Sequence, residues 1–192
     1  MLKVIDVGLM ANHLSAHKGA IKRFELYSNL TKNPNLLTIL GQQIGMMQNH
    51  VQVMNMLLDP NHTNQVTLQP VPQVTSQLNQ NSVAIDIEIE DRDMAFDSHF
   101  TATSMANDNF ISSTNMKNPQ VKRIHSEMAL QQSQIAKQYE MFAEQMGWMD
   151  HPIATSIQQQ GAMSPLQNQT FNPLHQNGKQ AQMNTQNSQR IQ

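Results

Sequence analysis

The sequence predicts an all-α fold, two antiparallel helical hairpins sharing one core, followed by a disordered C-terminal tail. Three observations carry this. Apolar residues recur at spacings of three and four in four separate stretches, the period of a helix with one buried stripe. The tripeptide Lys32-Asn33-Pro34, which breaks the first pair of stretches, returns as Lys117-Asn118-Pro119 and breaks the second. Beyond His151-Pro152 the composition changes to Gln and Asn with almost no charge.

The first helix is expected over 9–31, with Met10, His13, His17, Ala20, Phe24 and Tyr27 on one stripe. Asn33 is a candidate N-cap, and Pro34 suits the first turn of the next helix. That second helix, over 35–58, places Leu40, Ile44, Met47, Val51, Met54 and Leu58 on its stripe and stops at Asp59-Pro60. So short a connection makes the pair antiparallel. Residues 59–90 form the linker, rich in Pro, Gln and Asn up to residue 82. Val83, Ile85, Ile87 and Ile89 alternate against Asp86 and Glu88 as a strand would, but a lone strand has no partner here. An extended lead-in lying against the bundle is the preferred reading. The third helix is expected over 93–113, capped by Asp91 or Asp93, with Phe96, His99, Thr103, Ala106 and Phe110 on its stripe. The fourth runs over 119–146, with Val121, Ile124, Met128, Ile135, Tyr139, Phe142 and Met146 inward and Gln131 interrupting the seam. Gly147 is a natural C-cap.

The two halves read as an internal repeat. With one further residue of shift, His13 falls on His99, Ala16 on Ala102, Ala20 on Ala106 and Phe24 on Phe110. One hairpin buries too little surface alone, and two can share a core. The linker is long enough to run the length of a bundle, as in ferritin-like four-helix bundles with one long crossover. The bundle is therefore placed at 1–152, as hairpin 9–58, linker 59–90 and hairpin 91–148. The tail is placed at 153–192 and expected to be disordered, since amide-rich sequence without an apolar period cannot offset the entropy of ordering. Its dense amides suit many weak contacts.

The second half resembles the coat F family of bacterial endospore coat proteins. The resemblance rests on Asp91-Arg92-Asp93-Met94-Ala95 and Asn118-Pro119-Gln120-Val121-Lys122, then on the ending from Tyr139 through Gly147-Trp148-Met149-Asp150-His151-Pro152. The first half, with His13-Leu14-Ser15-Ala16-His17-Lys18 and the helix after Pro34, looks like the added N-terminal half of longer members. The resemblance spans residues 9–152. It implies a ferritin-like helical fold, manufacture in the cytoplasm of the mother cell and a structural place in the spore coat. It also implies contact with other spore coat proteins, with assembly into a homo-oligomer left open.

The rest of the sequence argues mainly by exclusion. A net charge of −2 gives no electrostatic case for nucleic acid. No apolar run approaches the roughly 20 residues of a membrane span, and the start of the chain, with Asp6, does not read as a signal peptide. Zero cysteines remove disulfides, thiolate nucleophiles and Cys-based zinc sites. A di-iron site needs Glu on two helices and Glu-x-x-His on the other two. Here Glu25 is followed three residues on by Ser28, and Glu127 by Leu130. There is no Gly-rich phosphate loop and no Ser–His–acid arrangement, and the acids 88, 90, 91 and 93 read as a helix start. No catalytic residue, cofactor or metal site is therefore assigned.

The metal candidates, should one exist, are His13 and His17, one turn apart, with His50 of the facing helix. Against them stands the lack of a carboxylate to orient the rings. His99 and His125 read as structural. Met47 and Met54 read as core, and Met46 and Met56 as exposed contacts. The function expected is a non-enzymatic structural protein of the spore coat. The alternative is a ferritin-like metal-binding or stress protein with an altered histidine-based site.

Overall fold

The two Lys-Asn-Pro turns are built alike. A computed structural model describes residues 1–73 and 88–167. In it Asn33 Oδ1 accepts from the backbone N–H groups of Asn35 (3.0 Å) and Leu36 (3.3 Å). Asn118 Oδ1 accepts from Gln120 (2.9 Å) and Val121 (3.2 Å). Each bond pair satisfies two donors that a helix start leaves orphaned, and the following proline has no donor to satisfy. The helices so delimited are α1 (Val4–Leu30), α2 (Pro34–Leu58), α3 (Asp91–Asn115) and α4 (Pro119–Gln145). Between α2 and α3 lies the long crossover.

Cross-links fix the directions of the helices. Asp6, early in α1, accepts from the backbone of Lys3 (2.8 Å), Lys117 (2.6 Å) and Asn118 (3.3 Å), so the α3–α4 turn sits at the start of α1. Thr31, just past α1, donates its hydroxyl to Asp91 at the start of α3 (2.6 Å). Hence α1 and α4 run one way, and α2 and α3 the other. The crossover must therefore return the length of α2, roughly 35–40 Å at 1.5 Å per residue. This all-helical bundle is the predicted class of fold.

Residues 60–73 are more than a spacer. Val66 is buried against Val53, Met54, Ile124 and Met128. Arg123 donates to the Val66 carbonyl (3.0 Å), Asn49 accepts from Gln69 N–H (3.0 Å), and Gln131 donates to the Gln69 carbonyl (2.8 Å). Gly45 lets the strap come close, for a Cβ there would lie 2.9 Å from Pro72 Cγ. With the strap on one side and the core on the other, α2 is buried over more than one face. Met46, expected outside, is for this reason 1% exposed, and Met56 is half-buried.

The inward face of α3 corrects the sequence reading. Phe110 is 61% exposed and not in the core. The buried residues are Met94, Ala95, Ser98, Ala102, Met105, Asn109, Ser112 and Ser113. These stand at the offset that carries Asn33 onto Asn118: Met10 matches Ala95, His13 Ser98, His17 Ala102, Phe24 Asn109 and Ser28 Ser113. The extra residue of shift rotated the expected face by about 100°, one helical step. Of the other expected core residues, Phe24, Ile44, Met47, Ile124, Met128, Ile135 and Phe142 are buried, and Val51 is half-buried. Met146, placed on the α4 stripe, is 43% exposed because the helix has ended. Gly147 (φ +71°) closes α4: its N–H bonds to Glu144 O and that of Trp148 to Ala143 O, both 2.9 Å. This double bond and the edge-on packing of Trp148 on Phe142 (5.5 Å) make a Schellman ending.

The first helix begins at Val4, earlier than expected, and the third at Asp91. Of the alternating segment, residues 83–87 lie outside the described residues, and Ile89 packs against the main core. The chain divides into two compact units, Met1–Asp150 and His151–Gln192. The second contains α5 (Ser156–Gln167), which departs from the expectation of disorder from 153 onward. Its cause is local: Thr155 Oγ1 accepts from Gln158 N–H (3.3 Å), and Gln158 Oε1 accepts from Thr155 N–H (2.8 Å), a reciprocal capping box. Residues 168–192 lie outside the described residues.

Candidate functional site

Four histidines meet inside the bundle, between the apolar cluster of Met10, Met116 and Val121 and that of Ala20, Phe24 and Tyr139. His17, His50 and His125 are 0% exposed and His13 is 8% exposed. Helix direction explains the meeting. Since the α3–α4 turn is tied to Asp6, α4 climbs alongside α1, and His125 stands as far above Asn118 as His13 stands above Asp6. Since α2 descends, His50 reaches the same level from the other end.

The rings pair off. His13 and His125 have centroids 5.2 Å apart, and His17 and His50 have centroids 5.4 Å apart. The His17 Nε2 to His50 Nδ1 distance is 3.2 Å. The outer nitrogens are engaged: His17 Nδ1 with the His13 carbonyl (2.8 Å), His125 Nδ1 with the Val121 carbonyl (3.0 Å), and His50 Nε2 with Gln131 Oε1 (2.7 Å). His13 Nε2 lies 2.8 Å from Ser112 Oγ. A groove of about 270 Å³ lined by Leu9, Asn12, His13, Ala16, Asp108, Ile111 and Ser112 leads to His13 from outside.

Burial holds these imidazoles neutral. It pushes His17 down to about 3, with repulsion from His50 adding to the effect. It takes His50 to about 4 against the opposing hydrogen bond to Gln131. His125 also falls to about 4 through burial, against its bond to Val121. His13 is lowered by burial, partly offset by Asp108. Above the layer, Tyr139 donates to Gln43 Oε1 (2.7 Å), and burial raises its phenol pKa.

The sequence candidates are thus brought together, with a changed pairing. His50 meets His17, and His13 meets His125. His125, read as a lone structural histidine, is a full member. The signal for it was its distance along α4 from the Asn118 cap. His99 is half-buried and takes no part in these ring contacts. Gln131, read as an interruption of the seam, is the residue that orients His50. Among the described residues Asp6 is the one buried carboxylate, and it is spent on the turn. The interior is therefore furnished with imidazoles and amides.

No protein-family model and no curated protein matches the chain. Among solved structures it is similar to a crystal structure from Bacillus halodurans C-125 named a putative spore coat protein. The TM-score is 0.63 at 17% identity, over 81% of this chain and 96% of that one. At that identity the likeness speaks for a shared fold.

Proposed function

We propose that the chain is a structural, non-enzymatic component of the bacterial endospore coat that works through protein–protein contact. The observation that carries this is the fold. The helical arrangement matches nearly the whole of a protein named for the spore coat, and the coat F-like segments of this chain fall at the start, turn and end of its second hairpin. Asp91-Arg92-Asp93 opens α3, Asn118-Pro119 caps α4, and Gly147-Trp148 ends it. Among the described residues the buried side chains do not include the carboxylate set of a di-iron oxidase, which favours this reading over an oxidase. Phe100, Phe110, Ile111 and Leu130 stand outside as large apolar side chains suited to contact with neighbours. The amide-rich tail adds many weak contact points, with other coat proteins or copies of the chain as partners.

The test is a fluorescently tagged chain followed through sporulation. It should gather at the forespore surface and stay with the purified coat. Uniform fluorescence in the mother cell, with none in the coat fraction, would overturn the reading. A second reading, a ferritin-like metal-binding or stress protein, draws on the buried histidine layer. It predicts expression in growing cells and sensitivity to metal stress on deletion.

A further inference from the structure

The histidine layer contains lone pairs that no proton in it can satisfy. A backbone carbonyl only accepts, so His17 must carry its proton on Nδ1 to bond the His13 carbonyl. Its Nε2 is then a bare lone pair. Gln131 donates its amide nitrogen to the Gln69 carbonyl, which turns its oxygen toward His50. His50 must therefore carry its proton on Nε2, and its Nδ1 is also a bare lone pair. These two lone pairs face each other at 3.2 Å. By the same logic His125 is protonated on Nδ1, and its buried Nε2 has no hydrogen-bond partner. Two acceptors at this distance repel unless a cation lies between them.

We propose that this gap is a transition-metal site, with His17 Nε2 and His50 Nδ1 as ligands to a borderline divalent ion of the zinc class. Zinc–imidazole bonds of about 2.0–2.1 Å at a tetrahedral angle put two ligand nitrogens about 3.3 Å apart. The pair is already at 3.2 Å. The outer nitrogens are held as metal-bound histidines usually are: His17 donates to a carbonyl and His50 to an amide oxygen, which fixes tautomer and ring plane. His125 Nε2 is a further uncommitted imidazole nitrogen of the layer, but it does not come within ligand reach of both rings at once, so the remaining positions of the ion fall to water. Imidazole ligands without carboxylates select zinc, copper, nickel or cobalt over magnesium, calcium or manganese. The groove lined by His13 brings solvent to one ring of the layer. The competing occupant of the gap is a proton shared by the two rings, which zinc has to displace.

The experiment is calorimetric titration of chelator-treated full-length protein with zinc, alongside cobalt(II) absorption. Binding of one zinc per chain is expected, with cobalt giving visible bands of a low-coordinate nitrogen site. His17→Gln with His50→Gln should abolish that binding. Gln131→Ala keeps both ligands and loosens His50, and should weaken zinc affinity about 10–100-fold. Should the double variant fail to fold, imidazole nitrogen resonances of the wild-type protein decide: zinc must shift those of His17 and His50. No saturable zinc binding, unchanged binding in the double variant, or a proton shared between His17 and His50 that zinc does not displace would each overturn the proposal. None of these readouts depends on where the protein resides, so they are independent of the coat assignment.

Discussion

The two hairpins share one frame and fill it differently. Asn33 and Asn118 cap in the same way, and Asp6 and Asp91 stand at equivalent positions and each bind the other hairpin's turn region. Inside, the first hairpin supplies bulk: Phe24, Leu36, Leu40, Met46, Met47 and Met54. Opposite it, α3 supplies mostly small or polar residues, Ala95, Ser98, Ala102, Asn109 and Ser113, beside Met94 and Met105. A small side chain on one helix makes room for a large one on its neighbour, so equivalent positions need not be alike in chemistry. The repeat preserves the positions that face inward and leaves the residue types free.

The strongest way to break this comparison is at Phe24 and its apparent counterpart. Phe24→Ala should cost about 3–5 kcal/mol in chemical unfolding, because a fully buried ring leaves a cavity. Phe110→Ala, on the solvent side, should cost less than about 1 kcal/mol. Equal losses would restore the sequence-based alignment and refute the rotated one.

The Asp6 clasp comes next. Asp6→Ala leaves the Lys117 and Asn118 N–H groups without their acceptor and should cost about 1–3 kcal/mol. Burial raises the carboxyl pKa, but the bonds from Lys3, Lys117 and Asn118 and the Lys117 charge carry it below its ordinary value of 3.8. The unfolded chain therefore takes up this proton first as pH falls. The contribution of Asp6 is complete above the unfolded value and lost as pH drops through the folded one. Asp6→Asn should flatten stability against pH below about 4. An unchanged acid slope would show that the clasp does not act as a carboxylate.

A smaller effect is expected at the strap. Gly45→Val forces Pro72 away and should cost about 1–2 kcal/mol, net of the better helix propensity of valine over glycine. Limited proteolysis should then cut within residues 60–73 faster than in the parent protein. The smallest effect belongs to Thr31→Val, which removes the hydroxyl that donates to Asp91 and accepts from Asn33 N–H, and should cost about 0.5–1.5 kcal/mol by thermal melting. A cost there equal to that of Asp6→Ala would mean the two clasps are energetically alike.

Much of this frame was legible in the sequence. The stripe of α1 from Met10 to Tyr27, the caps at Asn33 and Asn118, and the ending at Gly147 follow from spacing and backbone chemistry alone. The face of α3 was not legible, because its buried side is small or polar apart from Met94 and Met105, and its aromatics Phe100 and Phe110 point outward. Hydrophobicity then favours the wrong side. Met46 was misplaced because a single-face pattern cannot foresee that residues 60–73 cover the other face of α2. At the site, His13, His17 and His50 were found through helix spacing. His125 and Gln131 needed the relative heights of α1 and α4, which are set by a long-range bond from Asp6.

The reciprocal clasps have a consequence for a single hairpin. A lone helical hairpin bearing an acid at its start and the Lys-Asn-Pro turn could not bring the two together, since they lie at opposite ends of its first helix. Two copies related by a dyad could, each giving its carboxylate to the other's turn through an isologous interface. The crossover then reads as a covalent tether joining what a homodimer would otherwise have to assemble by collision. It replaces a concentration-dependent association by an intramolecular one. It also releases the halves from sequence identity, which is what allows three of the four interior histidines to come from α1 and α2.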